Sequence, residues 1–352
     1  MALIATCGLD AASVCVVFGL GQILTGLIYG IPMPVQPLKA MATIMLAQKL
    51  SAGTLAGGGL VIGVAMLLLA LSGLLDLLAR IVPGEVVRGM QLGLGVTLAT
   101  LALKQYAGAD GAAGYALAAV AFLVLVGLRR LQRFPAPLLV IGLGIAYALA
   151  FKIDGSALAS AVGLRFPSVV VPTWKEVADG ALLLALPQIP LSLGNSVIAT
   201  SRTSADLFPE RPVTVKKIGT TYGLMNLLGP WLGGLPVCHG CGGMVGFHAF
   251  GARTGGAPVI YGALYLVLGL FFAPGFAQVV EVFPMPVLGV VLLVEAIALM
   301  MLARDAVQER PKAWVVFAVA TAVVALPYGY VVGLVAGSLI GWGLRRGWVP
   351  AP

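Results

Sequence analysis

The chain has 352 residues, of which 60% are hydrophobic and only 10% charged, and a formal net charge of +8. Soluble domains carry about 25% charged residues, so this composition excludes an ordinary soluble enzyme and leaves no room for a water-soluble domain larger than a loop. Nor does the positive charge indicate nucleic-acid binding, because the basic residues sit between apolar runs and form no single basic face.

In chain order, apolar segments are expected near 1–7, 11–29, 34–48, 53–75, 85–103, 113–131 and 138–151. A second set follows near 177–200, 213–229, 237–251, 257–273, 280–302, 312–325 and 328–344. Many reach the roughly 17–25 residues that cross a bilayer. The first is a stub, so the chain is expected to lack most of one span at its N-terminus. If that stub emerges outside and each later segment crosses in turn, fifteen Lys and Arg fall inside and five outside. That is a positive-inside distribution. Seven segments in each half then give the halves opposite orientations. The expected fold class is an all-α polytopic membrane protein built as a 7+7 inverted repeat with two discontinuous half-helices.

The chain also carries an internal copy. Gly19-Leu20-Gly21-Gln22-Ile23-Leu24 matches Gly223-Leu224-Met225-Asn226-Leu227-Leu228 in spacing and chemistry. Pro34 matches Pro236, again about 200 residues on, and Val82-Pro83-Gly84-Glu85 faces Phe283-Pro284-Met285-Pro286 more weakly. Residues 30–41 and 233–244 are two versions of one segment, in which Gly and Pro break the chain before a short apolar helix. Broken helices in corresponding positions of two halves are the best sequence pointer to a membrane ligand site. Pro34 is expected to start the first short helix, with Lys39 a little over one turn inside it. Free N–H groups at each helix start, reinforced by the helix dipole, suit an anion.

Candidate ligands follow. A lysine at membrane depth costs about 2.5–3.5 kcal/mol, so Lys39 either meets a negative ligand, pairs with an acid, or snorkels to an interface. Gln36, three residues earlier, either donates to the ligand or bonds a neighbouring helix. His239 could donate to an anion, relay a proton or satisfy a carbonyl. Gly240, Gly242 and Gly243 leave a ligand unobstructed. Gln188, Ser192 and Asn195 form a polar stripe at i, i+4, i+7, either lining the site or gluing helices together. Arg88 and Gln91 read as interface or gating residues, and Glu295 as a proton carrier or a buried hydrogen-bonding group. Cys238-His239-Gly240-Cys241 resembles half a zinc site, but the only other histidine is His248 and no second cluster exists. No metal, cofactor or enzyme active site is expected, since no catalytic arrangement or P-loop appears.

Pro32-Met33-Pro34-Val35-Gln36-Pro37-Leu38-Lys39, and Pro236 through Met244 followed by Phe250-Gly251-Ala252-Arg253-Thr254-Gly255-Gly256, resemble the molybdate transporter family within the sulfate permease superfamily. Leu186-Pro187-Gln188-Ile189-Pro190-Leu191-Ser192-Leu193-Gly194-Asn195 and Val87-Arg88-Gly89-Met90-Gln91-Leu92-Gly93 add to the likeness. The resemblance implies fourteen segments split into a core domain (1–75 and 176–275) and a gate domain (80–151 and 277–346). It places substrate between residues 34–40 and 237–243, which include Pro34, Val35, Gln36, Lys39, Cys238, His239, Gly240, Cys241 and Gly242. Molybdate is the implied substrate, with tungstate or sulfate as related oxyanions, in a multi-pass protein of the plasma or inner membrane. A homodimer is compatible with this reading. A nucleobase permease is the less favoured alternative, since it would want an acid where the 177–200 span offers Gln188 and Asn195. Two departures are that a Gly-Asp-Leu-Gly-type sequence expected in the first span is not found, and that no STAS domain follows Arg345-Arg346.

Overall fold

The computed structural model describes residues 4, 8–128, 136–151, 162–275, 284–326 and 329–346. Apart from Ile4, the 1–7 stub lies outside the described residues. So do Cys7, Arg129, Arg130, Arg133 and Lys152, and the beginning of the 280–302 segment.

The first half runs through α1 (Ala11–Tyr29), a short strand β1 (Gln36–Pro37), α2 (Lys39–Gln48) and α3 (Ala52–Leu71). A short surface helix α4 (Leu74–Ile81) leads to α5 (Gly84–Leu101), which ends in a π turn, and then to α6 (Gly111–Leu128) and α7 (Ala136–Phe151). The second half opens with α8 (Trp174–Gly180), α9 (Leu186–Leu191) and α10 (Ala199–Leu207), joined by π turns. There follow α11 (Val215–Leu228), β2 (Val237–Cys238), α12 (Cys241–Ala249), α13 (Gly256–Phe271), α14 (Met285–Met301), α15 (Arg304–Gln308), α16 (Arg310–Ala325) and α17 (Gly329–Arg345).

Local chemistry sets many of these boundaries. Asp10, Ser51 and Thr214 cap α1, α3 and α11, each accepting from a backbone N–H three residues on. Thr173 and Glu176 form a reciprocal capping box at the start of α8. Gly30 closes α1 at φ +66°, a left-handed conformation that suits glycine. Pro83 and Pro284, matched in the internal repeat, stand immediately before α5 and α14.

Four helical runs, 11–29, 52–71, 84–106 and 111–128, are long and apolar enough to cross a bilayer alone. The run 174–207 makes a fifth if its two parts, bent by 58°, count as one span. That bend lies where the sequence carries two prolines and the helix widens into π turns, both recognised causes of kinks. The surface departs from that of a soluble protein. Leu27, Leu68 and Leu123 are 62–69% exposed while Gln91, Asn226 and His239 are fully buried. Such a surface fits a hydrocarbon environment, with the polar side chains turned inward.

At the centre, β1 pairs with β2 in antiparallel register, Gln36 opposite Cys238 and Pro37 opposite Val237. Because matched segments of the two halves run in opposite directions, the halves are inverted with respect to each other. This pairing also corrects the expected helix starts. Pro37 fixes its own φ and keeps Gln36 extended, and Leu38 N donates to Pro236 O at 3.0 Å. Residues 34–38 are therefore strand-like and α2 starts at Lys39, so Pro34 is not a helical residue and Lys39 is the first one. By the same logic α12 begins at Cys241, not near 237.

Backbone-close crossings hold the elements together, as expected where lipid supplies no hydrophobic drive between helices. A Cβ on Gly19 of α1 would lie 2.6 Å from Gly262 O of α13, and one on Gly26 would lie 2.5 Å from Gly255 O. Replacing Gly262 with leucine should force these helices apart and cost about 1–3 kcal/mol or more, the range for overpacking. Thermal unfolding in detergent micelles would register this as a lowered midpoint. Gly127→Ala, where a Cβ meets nothing within 4 Å, should leave the midpoint unchanged.

Candidate functional site

Each half braces its strand in the same way. Gln22 Nε2 donates to Val35 O at 2.9 Å, and Val35 N donates to Gln22 Oε1 at 3.3 Å. In the other half Asn226 Nδ2 donates to Val237 O at 2.6 Å, and Val237 N donates to Asn226 Oδ1 at 2.8 Å. Gln22 and Asn226 occupy the same position in the two matching hexapeptides. The internal repeat therefore reproduces one specific contact as well as a pattern of apolar residues. Both side chains are buried and satisfy backbone groups that would otherwise be orphaned inside an apolar medium.

The braced strands bring the starts of α2 and α12 together. Gln36 projects from β1 into the space that Gly240 and Gly243 leave empty. A Cβ at Gly243 would stand 2.5 Å from Gln36 Nε2, and one at Gly240 would overlap Gln36 Oε1. These glycines thus make room for a protein amide, beside the ligand-access role expected of them. Gln36 Oε1 is buried and has no hydrogen-bond partner among the described residues. A half-turn of the carboxamide presents the amino end instead, the end an oxyanion would select. Gln36, Lys39, Pro34, Val35 and Gly243 line one cavity of about 630 Å³. Its size falls within the usual range for ligand pockets. Phe18, Tyr261 and Tyr265 form an aromatic wall, and Glu295 of α14 closes another side.

The other candidates take up supporting positions. Gln188 Oε1 accepts from Ala40 N at 2.9 Å and Met41 N at 3.3 Å, so it caps α2, whose first-turn amides were expected to be free. Gln188 Nε2 donates to Ser192 Oγ, which in turn bonds Tyr222 OH at 2.7 Å. Asn195 Oδ1 accepts from Cys241 Sγ at 3.3 Å, and its Nδ2 reaches within 4.0 Å of a Cβ position at Gly240. Cys238 Sγ is bonded to Ser196. Gly240, at the N-cap of α12, has no side chain to cap the helix, whereas Gln188 caps α2.

His239 faces away from the cavity. Its Nδ1 lies 2.9 Å from Pro34 O and its Nε2 lies 2.8 Å from Thr221 Oγ1. The carbonyl can only accept, so Nδ1 carries the proton and Nε2 accepts from the threonine hydroxyl. Of the three roles open to His239 in the sequence, its ring performs the carbonyl-satisfying one. Thr200 Oγ1 holds the His239 carbonyl, and Tyr29 OH joins the chain at Thr221. Thr200, Thr221 and Tyr29 were not singled out in the sequence, and lone hydroxyl groups in apolar helices give no pattern that would reveal them.

A second cavity of about 370 Å³ lies among Glu85, Arg88, Arg202, Lys312 and Arg345. Its charges are largely matched: Arg88 with Asp206, Arg345 with Glu85 at 2.9 Å, and Lys312 with Glu309 at 2.6 Å. Arg88 and Gln91 tie α5 to α10, the latter through Thr203 at 2.9 Å, which is the interface role expected of them.

A family model described as "Molybdate transporter of MFS superfamily" matches residues 1–98 and 180–299. "Molybdate transporter 2" of Arabidopsis thaliana is 34% identical over 348 residues, covering 84% of this chain and 74% of its own. Among solved structures, SLC26A9 aligns over 97% of this chain with a TM-score of 0.59 at 15% identity, and the chain spans 62% of its length. The transmembrane domain of the cyanobacterial bicarbonate transporter BicA aligns at 0.54 and 16% identity, over 97% of this chain and 95% of its own. The fold is therefore the seven-plus-seven inverted repeat of the SLC26 structures, even though the family description names another superfamily.

Removing either brace should damage the site through the strand it holds. In Gln22→Leu or Asn226→Leu, a backbone N–H and a C=O lose their partners, each at about 1–3 kcal/mol. Both variants should melt well below the wild type in detergent.

Proposed function

The chain belongs to the molybdate transporter family, and on that premise we propose that it carries molybdate through the cavity at the strand crossing by alternating access. It is a multi-pass membrane transporter and not an enzyme. One observation carries the site assignment: the Gln36 carboxamide, the Lys39 helix start and the glycine-rich start of α12 meet at a single cavity.

A tetrahedral dianion offers only acceptors, so every ligand must donate or carry positive charge. Gln36 supplies its amino group and Lys39 its ammonium. The Gly243 amide at the start of α12 supplies the helix-terminus contribution, worth about half a charge at most. Asn195 Nδ2 approaches from the π turn beside Gly240. Pro34 and Val35 form the wall, while Gln188 and Ser192 position α2. Cys238, His239 and Cys241 act through their backbone, because their side chains are engaged with protein. Water occupies about 30 Å³ per molecule, so one anion leaves much of the cavity for water and for an access path.

In this reading residues 1–75 and 176–275 form the core that carries the anion, and 80–151 with 277–346 form the gate. The Arg88–Asp206 and Gln91–Thr203 contacts join the two and must part during the cycle. Tungstate should share the site, and sulfate is the competing natural ligand. The proposal includes a plasma- or inner-membrane location, an apolar shell against lipid and a homodimeric assembly.

Ligand-dependent melting and liposome uptake test this together. A ligand at 100 times its Kd stabilises the native state by about 2.7 kcal/mol. Molybdate and tungstate should raise the melting midpoint accordingly, sulfate less, and uracil not at all. A midpoint raised by uracil and not by molybdate would overturn the oxyanion reading. Gln36→Ala and Lys39→Met should fold yet show sharply reduced molybdate uptake; uptake equal to wild type in Gln36→Ala would remove that residue from the site.

A further inference from the structure

Glu295 has no role in the binding scheme above. It is the only charged residue in α14, flanked by Leu292, Leu293, Val294, Ala296 and Ile297. An ionisable group at that depth is costly and marks function by default. Its carboxyl lies along α12, with Oε1 2.7 Å from a Cβ position at Gly242 and Oε2 3.3 Å from one at Gly246. Two glycines one helical turn apart thus form a shallow cradle for the carboxyl group on the half-helix whose first turn faces the anion. Glu295 also lines the same cavity as Gln36 and Lys39, and Lys39 is the cation whose field reaches it.

We propose that Glu295 is a proton-binding site that loads one proton with each oxyanion. The inference rests on the oxyanion reading of the cavity. When ionised in the empty cavity, Glu295 is balanced by Lys39 on the same cavity wall. A dianion entering that cavity adds two negative charges beside the carboxylate, and like charges at close range favour protonation of one carboxyl. The Glu295 carboxylate then takes a proton from the water on the loading side, becomes a neutral acid, and returns the proton to water when the anion leaves.

Other ionisable groups compete less well for that proton. On α12 are Cys241, whose thiol bonds Asn195, and His248 in the last turn. The cavity wall adds Cys15, Tyr261 and Tyr265, which are neutral when protonated and remain so beside an anion. Among the elements packed on α14, α5 brings Glu85 and Arg88, already paired with Arg345 and Asp206. The π turn after α5 brings Lys104 and Tyr106, α6 brings Tyr115, and α7 brings Tyr147.

The test is calorimetric titration of the purified full chain with sodium molybdate, in two buffers of different ionisation enthalpy, between pH 5 and pH 8. Toward the alkaline end of that range wild type should take up about one proton per anion, and its affinity should fall about tenfold per unit rise in pH. Glu295→Gln should bind molybdate with no proton uptake and a flat pH profile, and Glu295→Asp should restore uptake. Molybdate binding by wild type without proton exchange would overturn this inference and leave the oxyanion reading standing. Undiminished uptake in Glu295→Gln would do the same. No molybdate heat from wild type at any pH would overturn both. The wild-type measurement needs no variant to fold.

Discussion

The crossing of β1 and β2 makes the rest of the structure possible, because broken helices inside an apolar medium leave backbone groups that neither water nor lipid can satisfy. Each break is repaired partly by its own half, through Gln22 or Asn226, and partly by the other half, through the antiparallel strand pair. Neither repair is complete alone. Once both are made, two helix starts are fixed side by side near the middle of the fold, and their position no longer depends on flexible loops.

Around that point polar side chains gather within an otherwise apolar core. Amides and hydroxyls gather inside and Lys39 and Glu295 line the central cavity, while leucine, valine and phenylalanine cover the outside. Buried polar groups are costly unless connected, and here most are. Tyr29, Thr221, His239 and the Pro34 carbonyl form one chain of bonds, and Tyr222, Ser192, Gln188 and the first turn of α2 form another. The oxygen of Gln36 stands outside both chains, in the place where an incoming ligand would complete the set.

Much of this was legible in the residues because the protein contains two versions of its central device. The spacing of Gln22 against Asn226 and of Pro34 against Pro236 pointed to paired breaks, and charge distribution implied their opposite orientation. Helix starts were not legible. Pro34 looks like a first helical residue until Val237 and Cys238, some two hundred positions away, claim the segment as a strand partner. His239 and Gln188 illustrate a second limit. A polar side chain on an apolar helix has the same sequence signature whether it meets a ligand or caps a neighbour, and only the fold decides. The surface helix α4 was missed for a third reason: eight residues that bury little more than Leu75 give too short a pattern to read.

The glycines at 240, 242, 243 and 246 restrict how this region can change. Each provides the volume into which Gln36 or Glu295 reaches. Every single-base change that replaces a glycine gives a larger residue or a stop, so no single amino-acid replacement preserves that volume. The centre of the carrier is thus brittle to genetic drift, while its leucine-rich periphery can exchange one aliphatic residue for another. Viable routes to altered selectivity must therefore run through the side chains that enter the gap, with the gap itself inherited unchanged.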